Sequence, residues 1–126
     1  MPVRTPNHQE LIDRAERLMG GAPSAFKLPA DDSIVIERGE GSKVWDVDGN
    51  VYIDYLLGSG PMLVGHAHPD VVTAVQKQAE KGSTFYTLTE PANELADRLV
   101  EAIPCAESVK FVSTGTEATF HALRIA

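Results

Sequence analysis

The feature that most constrains this chain is the stretch from Val109 to Arg124, Val-Lys-Phe-Val-Ser-Thr-Gly-Thr-Glu-Ala-Thr-Phe-His-Ala-Leu-Arg. Residues 109–112 are a short apolar run with β-branched side chains, which reads as a buried strand. The run enters Ser113-Thr114-Gly115-Thr116, and a helical pattern with Ala118, Ala122, Leu123 and Ile125 follows from near Thr116. A strand that turns through small hydroxyl residues into a helix offers free backbone N–H groups and a helix N-terminus to an anion. Gly115 lets the backbone come close to a ligand, and Thr114 and Thr116 add hydroxyl donors. The stretch predicts a phosphate cradle at the start of an α/β unit.

Upstream, the chain reads as a support for that unit. Asn7-His-Gln-Glu10 fits a capping box, with Asn7 as N-cap and Glu10 three residues on. Leu11, Ile12, Ala15, Leu18 and Met19 then share one helical face, and Gly20-Gly21 stops the helix. Residues 20–33 are rich in Gly, Ala, Pro, Ser and Asp and predict a loop, with Phe26 as its anchor. Three strand signals follow, Ile34–Arg38, Lys43–Val47 and Val51–Tyr55, joined by Gly39-Glu-Gly41 and by Asp48-Gly49. Asp-Gly between β-rich runs is a hairpin signal, because a type I′ turn needs positive φ. These segments predict a small antiparallel meander. Pro69 fits the first position of a helix with Val71, Val72, Val75 and Ala79 on its apolar face, ending at Gly82. Ser83–Thr89 is a polar–aromatic loop. Thr89 or Glu90 caps a further helix, with Pro91 in its first turn, Leu95, Leu99, Val100 and Ile103 as its buried stripe, and Pro104 at its end.

Two clusters invite a metal reading. Asp46-Val-Asp48-Gly49-Asn50 lacks the third acidic position and the distal Glu of a calcium loop, so the hairpin reading is preferred. His66-Ala-His68 has no third Cys, His or carboxylate at metal-like spacing, so these histidines are expected to bond to backbone in a tight loop. No metal is expected. The net charge of −7 and the absence of a basic cluster argue against a nucleic acid or an anionic membrane as the main partner. Cys105, the single cysteine, supports neither a disulfide framework nor a Cys-based metal site. With no apolar run long enough to span a membrane and no secretory n-region, a soluble cytoplasmic protein is expected. At 126 residues the chain has room for one domain, yet it stops at Ala126 inside a helix with no C-cap. It reads as cut rather than finished.

Asp46-Val-Asp-Gly-Asn50 with Tyr52-Ile-Asp-Tyr55, Gly65-His-Ala-His-Pro69 and Thr114-Gly-Thr-Glu-Ala118 stand in an order and spacing that resembles the N-terminal part of class III, fold type I, pyridoxal-phosphate aminotransferases. Within that class the motifs are most similar to the glutamate-1-semialdehyde 2,1-aminomutase group. The resemblance runs from about Leu11 to the end of the chain. It implies an α/β fold organised as an N-terminal helix (1–20), a small-lobe meander with a Gly-rich loop (21–68) and the start of the large cofactor-binding domain (69–126). It implies pyridoxal 5'-phosphate as cofactor, with Thr114, Gly115 and Thr116 on its phosphate; Thr114 stands where the family usually has Ser, and Ser113 where it has Asn.

The departures fall where the family handles substrate. Gly20–Ser24 is shorter than the aminomutases' stretch before Ala25-Phe26 and has no Arg. Ser59 stands where they carry Trp before Gly-Pro, and Phe85-Tyr86-Thr-Leu88 replaces their Phe-Gly-Ala-Pro loop. Ser59 and Tyr86 are therefore the candidate substrate-entry residues. The same cofactor with a different amino donor or acceptor is implied, which favours a general aminotransferase over the aminomutase. The family's chemistry also needs a lysine that binds the cofactor covalently and shuttles a proton, an aspartate on the ring nitrogen and an aromatic stack. Lys27, Lys43, Lys77, Lys81 and Lys110 match none of that lysine's context. The resemblance puts the lysine downstream of Ala126, so these residues alone are expected to be inactive and to work, when full length, in a homodimer. The non-enzymatic alternative is a truncated module that docks on an intact aminotransferase.

Overall fold

The computed structural model describes residues 2–19 and 33–126. The expected stop at Gly20-Gly21, the loop through residue 32 with its Phe26 anchor, and Lys27 lie outside the described residues. The remainder forms two compact units, one running to Glu80 and the other spanning Lys81–Ala126.

The first unit opens with helix α1, Pro6–Leu18. Its N-cap is Thr5, not Asn7, because Pro6 supplies the preset φ of a first helical residue. The Thr5 hydroxyl bonds the Asp48 carboxylate of a later turn instead of capping the helix. On the expected apolar face Ile12 is buried, Leu11 and Ala15 are half-buried, and Leu18 and Met19 are exposed. His8 is buried as well, which the hydrophobic pattern does not reveal.

Strands β1 (Ile36–Glu40), β2 (Lys43–Asp46) and β3 (Val51–Ile53) form an antiparallel sheet in the order β1-β2-β3. The meander is as expected, but β1 lies two residues later than predicted. Gly39 and Glu40 belong to it, and the chain reverses at Gly41, whose φ is +55°. A bulge between Ile36 and Arg38 takes up the irregularity. Arg38 lays its guanidinium over Trp45, 3.6 Å from the ring centroid, which covers the strand's outer face. Trp45 pairs with Val51, so the second connection holds more than the two residues of a type I′ turn. The Gly49 N–H donates to the Asp46 carbonyl at 3.0 Å, with Gly49 at φ +81°.

The Asp46 carboxylate, fully buried, organises that connection. It accepts from the N–H of Asp48 (3.0 Å) and of Asn50 (2.8 Å) on Oδ1, and from Asn50 Nδ2 (2.8 Å) and Tyr52 OH (2.9 Å) on Oδ2. Asn50 also grips the N-terminal segment, receiving from Val3 N at 2.9 Å and donating to Val3 O at 2.7 Å. His8 Nδ1 lies 2.9 Å from Asp48 Oδ2 with both side chains buried, and its Nε2 meets the Arg4 guanidinium, so α1 is tied to the β2–β3 turn. His8, Asp46 and Asp48 bring ligand atoms within 4.8 Å of one another. Asp46 already accepts four hydrogen bonds, so the group acts as a polar core and not as an open ligand set.

Helix α2, Pro69–Ala79, starts at Pro69 as predicted and ends three residues before Gly82, which takes φ +93° beneath the Phe85 ring. In the second unit, α3 (Glu90–Ala102) has Thr89 as N-cap and ends one residue before Pro104's neighbour Ile103 leaves the helix. Its expected buried stripe is largely open, with Leu95 49% exposed. Helix α4 is Gly115–Ile125, one residue earlier than predicted. Residues 109–112 are not a strand. A strand exists only through ladder bonds to a neighbour, and no described residue pairs with this segment; Phe111 and Val112 stand exposed.

Close backbone approach adds a prediction. An added Cβ on Gly65 (φ +82°) would lie 2.8 Å from the Gly41 carbonyl oxygen, where the chain pairs with itself across the loop. Gly65→Ala is expected to destabilise the first unit by about 3 kcal/mol, from overpacking and left-handed strain together, read as a lowered urea midpoint.

Candidate functional site

The cradle forms at the start of α4 in the second unit. Thr114, in extended geometry, is the N-cap: its Oγ1 accepts from Glu117 N at 3.1 Å. Glu117 answers, its Oε2 accepting from Ser113 N at 2.9 Å and from Thr114 Oγ1 at 3.2 Å. This reciprocal pairing is a variant of the capping box: Thr114 caps the Glu117 N–H, and the Glu117 carboxylate returns to the Ser113 N–H, one residue before the N-cap, in place of the Thr114 N–H. It commits the Thr114 hydroxyl within the protein. The N–H groups of Gly115 and Thr116 lie in the first turn, where no helical carbonyl can reach them, and the Thr116 hydroxyl is uncommitted among the described residues. A Cβ on Gly115 would meet no atom within 4 Å. That Glu117 folds its carboxylate onto this end displays the site's attraction for an anion.

Ser59 sits in the first unit, in a 3₁₀ turn over Leu57–Ser59. Leu57, Gly58, Ser59 and Gly60 have φ of +46°, +67°, +64° and +116°, a run of left-handed residues of which two carry a Cβ. Each such residue costs about 1–2 kcal/mol relative to right-handed backbone. Strain of this kind persists only where surrounding bonds over-determine it, and it gathers at ligand sites. The Asp54 carboxylate supplies such bonds: Oδ1 accepts from Leu56 N (2.8 Å) and Leu57 N (2.9 Å), and Oδ2 meets His66 Nε2 at 2.6 Å. The hydrogen bond from His66, followed by that from Leu57, holds the Asp54 carboxyl below its ordinary range.

His66 thus bonds a carboxylate through its ring, contrary to the expectation that it would bond backbone with its side chain; its main chain pairs with Gly41 at 2.8 and 2.9 Å. His68 is the N-cap of α2, and its buried Nδ1 has no partner among the described residues. Tyr86 lies in the second unit, fully exposed at φ +53°. Both candidate substrate-entry residues are therefore left-handed and non-glycine, a signal absent from composition or periodicity. Among the described lysines, Lys110 Nζ lies 3.2 Å from His121 Nδ1 on the α4 surface.

Comparison with known proteins matches residues 27–126 to the model of the class-III aminotransferase family. The chain is 48% identical over 122 residues to the glutamate-1-semialdehyde 2,1-aminomutase of Sulfurihydrogenibium azorense, covering 94% of this chain and 29% of that protein. It is 50% identical over 113 residues to the enzyme of the same name from Chloroflexus aurantiacus, covering 90% of this chain and 23% of the relative. Among solved structures it is similar to an omega-transaminase from Sphaerobacter thermophilus, with a TM-score of 0.81 and 32% identity over 91% of this chain and 26% of that one. It is also similar to a transaminase with PLP bound, at a TM-score of 0.85 and 31% identity over 98% of this chain and 29% of the other. The chain spans under a third of the length of these proteins.

Proposed function

Because the chain belongs to the class-III aminotransferase family, we propose that it is the N-terminal part of a pyridoxal-phosphate-dependent aminotransferase that moves an amino group between an amino acid or amine and a keto acid or aldehyde. Its fold is the N-terminal part of the α/β fold type I shared by these transferases. The observation that carries the reading is the start of α4, where the N–H groups of Gly115 and Thr116 and the Thr116 hydroxyl have no protein partner among the described residues. The donor set fits a phosphate: two backbone N–H groups, a hydroxyl and a helix N-terminus.

In this reading Gly115 and Thr116 hold the cofactor phosphate, and Thr114 contributes its hydroxyl once the Glu117 carboxylate gives way. Bound there, pyridoxal 5'-phosphate supplies an electron sink for reaction at the substrate's amino carbon. This chain's part is to bind and orient. Ser59 and Tyr86, both on left-handed backbone, are the proposed substrate-entry residues, and Glu117 holds the Ser113 N–H and the Thr114 hydroxyl. Residues 1–20 form the N-terminal helix, 21–68 the small lobe and 69–126 the start of the large domain. The apolar side chains exposed on α2, α3 and α4, such as Val75, Leu95 and Phe120, suit burial beneath a parallel sheet. The same reading makes the whole protein a cytoplasmic homodimer acting on small-molecule donors and acceptors. Among the described residues no helix is long and apolar enough to cross a membrane.

A second reading, glutamate-1-semialdehyde 2,1-aminomutase, is favoured by the names of relatives at 48–50% identity. Against it stand Ser59, Tyr86 and the Arg-free Gly20–Ser24 stretch. The full-length protein, loaded with pyridoxal 5'-phosphate, is expected to show a visible absorbance band that shifts when an amino donor is added. Transfer to a keto acid supports the aminotransferase, whereas turnover of glutamate-1-semialdehyde alone supports the aminomutase. No shift with any donor defeats both. Residues 1–126 by themselves are expected to transaminate nothing; activity from them would return the catalytic lysine to this segment.

A further inference from the structure

The left-handed turn at residues 57–60 is held from both ends by one carboxylate and one imidazole, and neither belongs to the cradle. At the entry, Asp54 Oδ1 receives the N–H groups of Leu56 and Leu57 at 2.8 and 2.9 Å. At the exit, Met62 N donates to Leu57 O at 3.2 Å and Gly65 N to Met62 O at 2.9 Å, which delivers the chain to His66. His66 returns to Asp54 through the 2.6 Å contact between Nε2 and Oδ2, closing a ring of bonds around the turn. The imidazole has no freedom to leave. Its backbone is paired both ways with Gly41, and its ring lies on Gly39, where an added Cβ would fall 2.6 Å from Cγ. Asp54 is itself fixed, its N–H donating to Ser42 O at 2.8 Å at the end of the β2–β3 hairpin. The sheet is thereby coupled to a turn in which Leu57 and Ser59 hold backbone that L side chains rarely adopt.

We infer that Asp54 and His66 are positioning residues that hold residues 57–60 left-handed so that Ser59 meets the amino substrate in a fixed geometry. This rests on the reading of Ser59 as a substrate-entry residue, because neither Asp54 nor His66 is assigned a contact with substrate. A positioning role acts on how well the substrate is received, and the chemistry at the cofactor is left to other groups.

The test uses the full-length enzyme. In Asp54→Asn, which puts an amide in place of the carboxylate, KM for the amino donor is expected to rise about tenfold with kcat within about twofold, the pattern of lost substrate binding. Hydrogen exchange at Leu56 and Leu57 is expected to accelerate in the same variant. Adding Leu57→Gly to Asp54→Asn is expected to recover about a third or more of the KM loss, because glycine adopts the left-handed region unaided. Gly60→Ala strains the turn from its exposed side, since a Cβ there meets no atom within 4 Å at φ +116°. It is expected to raise KM with only a modest fall in thermal stability, so it keeps the test sharp even if Asp54→Asn folds poorly. Unchanged KM in Gly60→Ala, or accelerated exchange in Asp54→Asn with KM unmoved, overturns the proposal. A wild-type enzyme that accepts no amino donor defeats the functional reading instead; unchanged exchange in Asp54→Asn then overturns the clasp on its own.

Discussion

Gly115→Asp is expected to leave α4 folded and to abolish cofactor binding, with the affinity of the full-length apoenzyme for pyridoxal 5'-phosphate falling on the order of a thousandfold. Two like charges about 4 Å apart in an effective dielectric near 20 repel by about 4 kcal/mol, which is that factor. The helix itself gains, since a carboxylate in the first turn interacts favourably with the N-terminal dipole by about 0.3–1 kcal/mol. No steric penalty confuses the result, because a Cβ at 115 meets nothing within 4 Å. The two effects oppose each other in sign, so far-UV circular dichroism and an absorbance titration with the cofactor separate them. An intact helix with unaltered cofactor affinity would move the phosphate away from Gly115 and with it the proposed role of the cradle.

Asp46→Ala carries the largest expected cost to the first unit. The buried carboxylate receives two backbone N–H groups, an amide and a phenol. Their loss leaves donors of Asn50 and Tyr52 half-buried without a partner, at roughly 3 kcal/mol in total. Asp46→Asn keeps an acceptor on one side but turns an amide toward the Asn50 amide, for about half that loss. The pH dependence follows from the same bonds. Burial pushes the Asp46 carboxyl up, but hydrogen bonds from the Asn50 side chain and backbone, Tyr52 and Asp48 outweigh it, and the carboxyl lies below its ordinary range. A depressed carboxyl stabilises the fold above the unfolded value of about 3.9 and loses that contribution as pH falls below it toward the folded value. Urea unfolding followed from about pH 6 down to pH 2 should show this acid loss in the wild type and a flatter profile in Asp46→Asn. An equally steep acid branch in the variant would assign the loss to other carboxyls, Asp54 among them. Burial, and then the bond to Asp46, pushes the Tyr52 hydroxyl up, so the tyrosine remains a donor throughout that range.

The elements that came through from sequence are those whose causes are local. Pro69 opens α2, and Thr89 and Pro91 open α3, each because a cap or a fixed φ acts within a turn of the residue; α4 opens one residue before the expected start, where Thr114 takes the N-cap. Gly49 marks the second hairpin for the same reason. The misplacements have distant causes. Asn7 loses the N-cap role because Pro6 starts the helix and a carboxylate 43 residues away takes the hydroxyl of Thr5. Strand β1 runs on through Gly39 because Gly39 and Glu40 find ladder partners in Val44 and Lys43, while the His66 ring lies where a Cβ on Gly39 would fall. The apolar run at 109–112 has strand composition but finds no ladder partner among the described residues.

The sequence alone determined the order of helices and hairpins, the Thr-x-x-Glu cap and the set of donors offered at Gly115 and Thr116, because backbone preference and capping depend on residues within a few positions. Motif order along the chain likewise sufficed to indicate the family. Only the tertiary structure decided that Asp46 is the buried hub of the meander and that His8 closes onto Asp48. It alone decided that Asp54 and His66 lock a left-handed turn around Ser59. Those facts depend on which polar groups meet after the chain has folded back on itself, and a buried carboxylate must find its donors wherever the fold brings them.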